Sequence, residues 1–373
     1  MFFYVDESGN TGLNLFDAAQ PTLYYGVLGC VKNLDTAAEP LLTKLRTRLG
    51  VKRLHASELG VGRLAEIAGD IAAFSKKNDV RFFFYKVEKR DHAVILFFDQ
   101  VFDAGLNEAV AWAHYWTPMR YPLLFKVAFL FDEDLARRAW AARREQNPDR
   151  CAVQLIELCD DLLARIPLLP DARSRTLIGD ALTWAKANTS EINYGSSNRE
   201  TTLQISPNLV GFQQVLQGIA MHTDKRGRKA RRITVDRQTE FNTAQDEIAD
   251  IYRKLRGHKT SLGPGMPKAD WKTMPETPPV FMPGTKSAGL ELVDVTLWCA
   301  KKLEEGKTLP AELHEMFWSQ ARRGYRDEVS FRGLEKRWSF LVNLPLPEGA
   351  KREEIERLID EFDQRRLNSM AKL

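Results

Sequence analysis

The chain opens on Phe2-Phe3-Tyr4-Val5, an aromatic and β-branched run, and that run ends on two acids, Asp6 and Glu7. Such a run reads as a buried strand. Ser8-Gly9-Asn10 after it reads as a turn, because these residues tolerate unusual backbone angles and bond their own backbone. A carboxylate pair therefore stands where a core strand emerges, and a charge there is costly unless a cation or hydrogen bonds meet it. Two readings of Asp6 follow. It is a metal-ligating carboxylate held rigidly by its strand, or it closes the strand as an Asx turn.

At 373 residues the chain exceeds one ordinary core, so one large or two smaller domains are expected. An apolar content of 44% supports a real core. The net charge of +4 permits a polyanionic partner without demanding one. Cys30, Cys151, Cys159 and Cys299 show no paired spacing, so they read as reduced core residues and no zinc site is expected. No basic stretch followed by an apolar one opens the chain. The most apolar window, residues 123–131, is too short to span a bilayer and carries Lys126. A soluble, cytoplasmic protein with no membrane partner is expected.

Residues 22–31 read as a second strand, antiparallel to the first. Residues 35–49 read as a helix begun at Asp35 or Thr36 and stopped at Gly50. Ser57 is placed to cap a helix running to about Lys77, with Glu58 in its first turn, where the helix dipole favours an acid whatever its function. Residues 80–88 form a Phe-rich third strand, and residues 91–205 read as a mostly helical insertion punctuated by prolines. Pro207-Asn208 opens a helix to His222. Six basic residues in the eight positions 225–232 then lead into Ile233-Thr234-Val235-Asp236, a short strand ending in another acid. A helix spans 241–256, and a long loop spans 257–284, with prolines at 264, 267, 275, 278, 279 and 283. Ser287 caps a helix to about Glu305. Residues 347–373 form a charged helix with a thin apolar stripe, Ile355, Leu358, Ile359 and Phe362. The expected organisation is a first part of a core at 1–90, a helical insertion at 91–205, a second part of the core at 206–310 and a C-terminal helical extension at 311–373.

Four acids now stand out: Asp6 after the first strand, Glu58 at a helix start, Asp236 after a late strand, and Asp294 inside a late helix. Leu290, Leu292, Val293, Val295, Leu297 and Trp298 make that last helix apolar nearly all round, so it is buried, and an acid on it wants a cation or a basic partner. Glu291 shares its face at i, i+3. Oxygen donors from several elements, without a Cys or His cluster, suit magnesium or manganese. Two such ions roughly 4 Å apart clamp the attacking and leaving oxygens of an in-line phosphoryl displacement. His55, three residues before Glu58, can orient a ligand, move a proton or hold a phosphate; a hydrogen-bonded loop histidine is the plainer reading. Each acid also has an ordinary explanation, Glu58 as a first-turn acid and Asp236 as the start of a polar loop. Lys225, Arg226, Arg228, Lys229, Arg231 and Arg232 are candidate nucleic-acid contacts, expected near the site because they precede the Asp236 strand. The alternative is a solvated basic loop.

Tyr4-Val5-Asp6-Glu7-Ser8-Gly9, His55-Ala56-Ser57-Glu58-Leu59, Val235-Asp236 and Ser287-Ala288-Gly289-Leu290-Glu291-Leu292-Val293-Asp294 together resemble a large prokaryotic family of unknown function, the domain-of-unknown-function 3800 family. Its members open with an Asp-Glu-Ser-Gly strand, and the four motifs occur here in the family's order, over residues 1 to about 305. The resemblance implies an α/β, ribonuclease H-like fold: a mixed five-stranded sheet flanked by helices on both faces, here with a large helical insertion. It implies a divalent-metal nuclease site at Asp6, Glu58, Asp236 and Asp294, taking Mg2+ or Mn2+, and a place in mobile-element or phage-defence systems. Glu291 stands where Gln is more usual, which makes it, with Glu7, an additional candidate ligand. The third strand follows the His55–Glu58 helix, so Asp91, after that strand, rivals Asp236 as the second core aspartate.

The function expected is a metal-dependent nuclease that hydrolyses phosphodiester bonds in RNA or DNA, partnered by nucleic acid and by a second copy of itself or a defence-system protein. The alternative is a non-catalytic ribonuclease H-like nucleic-acid-binding or sensor subunit of a defence complex. A sugar hydrolase pairing Asp6 or Glu7 with Glu58 is disfavoured by the shortage of an aromatic platform near those motifs.

Overall fold

The computed structural model describes residues 1–261, 266, 268–345 and 348–373. Pro264 and Pro267 of the expected loop, and Pro347 at the expected start of the terminal helix, lie outside the described residues. The chain forms two compact α/β and helical units. The first holds Met1–Glu88, Ser206–Lys259 and Asp270–Glu328; the second holds Lys89–Ile205, Thr260–Ala269 and Val329–Leu373.

The strands are β1 (Phe2–Ser8), β2 (Thr22–Cys30), β3 (Arg81–Glu88), β4 (Arg232–Asp236), β5 (Lys259–Ser261), β6 (Lys268–Asp270), β7 (Pro279–Met282) and β8 (Tyr325–Val329). Six of them make one mixed sheet in the order β7-β4-β1-β2-β3-β8, while β5 and β6 form a separate ribbon. β1, β2 and β3 are an antiparallel meander, with Tyr4 opposite Leu28 and Leu28 opposite Phe82. On its other side β1 runs parallel to β4, and β4 runs parallel to β7. β2 is buried along its whole length because helices cover both faces of the sheet.

On one face Tyr4, Leu28, Phe82 and Phe84 meet Leu45, Ile67, Leu297 and Met316. These come from the helices Glu39–Leu49, Ala56–Lys77, Ala288–Glu304 and Ala311–Ala321. A Cβ at Gly289 would fall 2.1 Å from the Tyr4 ring, so glycine lets the Ala288–Glu304 helix lie directly on β1. On the other face Phe3 and Phe83 pack on His222, and Tyr25 on Phe212, both from the Pro207–Lys225 helix. Side chains alternate along a strand, so Tyr4 and Asp6 look toward the first layer while Phe3, Val5 and Glu7 look toward the second.

The structure departs from the sequence expectations in several places. β1 continues through Asp6, Glu7 and Ser8, because β2 pairs with it as far as Tyr24 opposite Ser8. Gly9, at φ 89°, then turns the chain; a Cβ there would lie 2.3 Å from the Thr22 carbonyl. The expected 35–49 helix is two pieces, Leu34–Ala37 and Glu39–Leu49, and Asn33 rather than Asp35 or Thr36 caps the first. Gly50 does end the second, at φ 62°. β7 lies inside the stretch expected as loop; its leading prolines disguise a short strand at the sheet margin. Residues 311–328, expected to begin a C-terminal extension, belong to the sheet unit, where Leu313, Met316 and Phe317 fill the core and β8 lies beside β3.

The second unit is helical, with Phe97, Phe98 and Phe102 fully buried. Its terminal helix, Ala350–Met370, is anchored by buried Arg366, which pairs with Asp180 and Asp363, and leaves Ile355, Leu358 and Ile359 exposed. All four cysteines are buried and free. Among the described residues no helix is long and apolar enough to cross a membrane.

Candidate functional site

Val5 of β1 lies beside Val235 of β4 in parallel register. The next residue on each strand is an aspartate, so Asp6 and Asp236 leave the sheet side by side, on the face that Tyr4 occupies. The Ala288–Glu304 helix crosses that face and brings Asp294 to the same place. The electrostatics record this convergence. The Asp6 carboxyl is held well above the usual carboxylate range, first by burial and then by the charges of Glu7, Asp294 and Asp236. Burial also raises Asp236, with Asp294 adding to it and the backbone N–H groups of Arg237 and Gly284 offsetting it. Asp294 is raised by burial and relieved by the Ala56 N–H and His55. Arg53 is the cation that eases both Asp236 and Asp294.

The Ala288–Glu304 helix holds the motif around His55 with two acids one turn apart. The Leu54 N–H donates to Glu291 Oε2 at 2.7 Å, and the Ala56 N–H donates to Asp294 Oδ2 at 2.7 Å. Alternate N–H groups of an extended segment, with His55 at φ −128°, are thus pinned to one helix face. The Ala56–Lys77 helix accordingly starts without a side-chain cap of its own, since Asp294 supplies an acceptor from afar. Ser57 is not the cap expected; its Oγ lies 3.2 Å from His55 Nε2. Gly60, at φ 69° and ψ 178°, breaks the helix after one turn, a conformation open to glycine and strained for other residues. Residues 55–59 are therefore an isolated turn presented at the site.

On that turn His55 Nδ1 lies 3.2 Å from Asp294 Oδ1, and His55 Nε2 lies 3.7 Å from Glu58 Oε1. Glu58 stands at the rim, two-thirds exposed, with Arg53 at 3.2 Å. Glu7, next to Asp6 in sequence, projects to the opposite face of the sheet. Its carboxyl is raised to about 8 by burial and by Asp236, with the neighbouring Gln238 side chain offsetting part of this.

Asp6, Asp236, Asp294 and His55 are thus brought together, with Glu58 joined through His55 and Arg53. Glu291 is not available as the additional ligand expected. Both its oxygens take Arg46, at 2.6 and 3.2 Å, and one also takes the Leu54 N–H, so it positions the His55 segment. Asp91 lies in the second unit, where its Oδ2 accepts the Phe331 N–H, so Asp236 is the aspartate beside Asp6.

The basic run is not beside the acids. Arg232 begins β4 and Asp236 ends it, four steps of about 3.3 Å apart, or roughly 13 Å. Arg226 pairs with Asp79 and Lys229 with Glu276. Arg53 and Gln238 were missed from sequence. Each lies two residues from a flagged acid or histidine, His55 or Asp236, and that proximity was the available signal.

Among the described residues no three His, Cys, Asp or Glu side chains already close around one point as metal ligands do. Repelling acids hold apart, and both Asp294 oxygens are turned to His55 and Ala56. The donor chemistry is nevertheless that of a hard divalent cation: carboxylate oxygens from β1, β4 and a buried helix, with no thiol. No family model matches the chain, and no curated protein or solved structure matches it.

Proposed function

We propose that this protein is a divalent-metal-dependent phosphoryl-transfer enzyme, a nuclease hydrolysing phosphodiester bonds in RNA or DNA, on a ribonuclease H-like sheet of the domain-of-unknown-function 3800 type. The observation that carries the reading is the crowding of Asp6, Asp236 and Asp294: burial raises all three, Asp294 and Asp236 add to the rise at Asp6, and Asp294 adds to that at Asp236. Such crowding is unfavourable in isolation and is relieved by a cation. The architecture supports it too: a mixed sheet with a three-stranded antiparallel meander and two parallel strands added beside β1, flanked by helices, with β8 as a sixth strand beside β3.

Asp6, Asp236 and Asp294 would hold Mg2+ or Mn2+, which supplies charge neutralisation and an activated water for in-line attack. Asp6 and Asp236 are fixed by adjacent strands, and Asp294 by its helix. His55, oriented through Nδ1 by Asp294, offers Nε2 at the rim for a proton or a phosphate oxygen. Arg53, one-third exposed beside the acids, faces incoming phosphate. The test is cleavage of labelled RNA and DNA with Mn2+ or with EDTA. Metal-dependent cleavage absent from Asp6→Asn supports the reading; a clean preparation inert toward every nucleic acid in either ion counts against it.

A second reading, a nucleic-acid-binding or sensor subunit without catalysis, has one observation in its favour: Asp294 serves as a backbone cap and His55 partner. In that case Asp6→Asn changes stability and leaves binding intact.

A further inference from the structure

At the opposite end of the same sheet the imbalance has the other sign. Asp79, in the loop before β3, is ringed by three arginines: Arg81 Nη2 at 3.3 Å, Arg226 Nη2 at 3.0 Å and Arg323 Nη1 at 2.7 Å. They border a cavity of about 390 Å3 to which Lys225 adds a fourth cation, and its described lining carries no carboxylate. Its lining also includes aromatic and apolar side chains, buried Phe83 and the exposed Tyr325 and Met221. Two lining residues, Arg81 and His222, each keep a buried nitrogen, Nε and Nε2, without a hydrogen-bond partner. All of these residues belong to the sheet unit.

Three arginines around one carboxylate, with Lys225 on the same cavity lining, remain cationic in sum, and guanidinium forks fit phosphate oxygens in pairs. A concave site of some 300–1,000 Å3 with apolar walls and convergent polar groups is the form small ligands take. We propose that this cavity binds a small phosphomonoester carrying an apolar or aromatic group, a nucleoside monophosphate being the type. The arginines hold the phosphate, and the Tyr325–Met221 side receives the ring. Asp79 keeps the guanidiniums gathered and competes with the ligand for them. A cavity of about 390 Å3 beside the amino end of β3, partly open to solvent, is the size of a single mononucleotide rather than of a polymer. The proposal does not depend on the acid site.

The test is calorimetric titration of the full chain with AMP, inorganic phosphate, adenosine and a short single strand lacking terminal phosphates. AMP binds most tightly, phosphate more weakly, and adenosine without measurable heat. Arg323→Ala, at a half-exposed position that folding tolerates, weakens AMP by on the order of tenfold, the effect of losing a hydrogen bond to a charged group. Asp79→Asn keeps the backbone, since asparagine accepts the left-handed φ of 50° found there. It tightens AMP by removing the competing charge. Absence of binding by AMP and phosphate, AMP affinity unchanged in Arg323→Ala, or binding of the single strand alone would each overturn the proposal.

Discussion

The two ends of one sheet carry opposite charge imbalances. At the carboxyl ends of β1 and β4, Asp6, Asp236 and Asp294 gather with Arg53 nearby. At the amino ends of β3 and β4, Arg81, Arg226 and Arg323 gather around Asp79. The contrast within the acid end is as instructive. Glu291 and Asp294 are one turn apart on a buried helix, yet Glu291 is bonded directly by Arg46 while the direct partners of Asp294 are a backbone N–H and a histidine, with Arg53 acting on it only through its charge. A buried acid with a guanidinium partner completes the structure. A buried acid among other acids is left with capacity for a cation.

The largest expected effect breaks the acid end alone. Asp6→Asn lowers metal-dependent phosphodiester cleavage by at least about 100-fold, the order seen on removing one electrostatic stabiliser from an active site. It leaves AMP binding at the arginine end unchanged, which calorimetry checks. Next, Glu291→Ala strands Arg46 and frees the Leu54 N–H. It destabilises by about 3–5 kcal/mol in denaturant unfolding, because breaking a buried pair leaves an uncompensated charge, with Glu39 retaining part of Arg46. A loss below about 1 kcal/mol would erase the distinction between Glu291 and Asp294. Gly289→Ala drives a methyl into the Tyr4 ring and costs about 1–3 kcal/mol by overpacking, while loosening Asp294 from Asp6.

The smallest effect is a pH slope. The folded Glu7 carboxyl sits at about 8 against an ordinary 4.5, so between these values the folded state holds a proton that the unfolded chain has released. Its contribution is therefore fully present below about pH 4.5 and is lost as pH rises toward 8. Glu7→Gln, which cannot ionise, flattens that decline in thermal melts; an unchanged slope assigns it to Asp6, Asp236 and Asp294 instead.

Much of the acid end was legible in the chain. A strand leading into Asp6, a strand ending in Asp236 and a helix capped by Ser287 each follow from local rules; the last two formed where expected, and the first ran two residues further, to Ser8. Their meeting was foreseen from their chemistry and from family resemblance, since nothing local reports register. Other features depended on long-range partners. Glu291 reads like a ligand until Arg46, 245 residues away, is seen on it. β8, Tyr-Arg-Asp-Glu-Val, lacks the apolar alternation of a half-buried strand because it lies beside β3 at the sheet's end and keeps its first residues exposed. The basic run was expected beside the acids through its nearness in sequence, but a strand carries the chain from one end of a sheet to the other, and that reversed its position.

The central claim is that acids from β1, β4 and the Ala288–Glu304 helix jointly hold a hard cation. Its most direct test is Mn2+ binding by the full chain at neutral pH, followed by electron paramagnetic resonance. Saturable binding, abolished by Asp6→Asn and by Asp294→Asn but retained in Glu291→Gln, is the predicted result. Binding that survives both aspartate substitutions, or no binding by the wild-type chain, would contradict it.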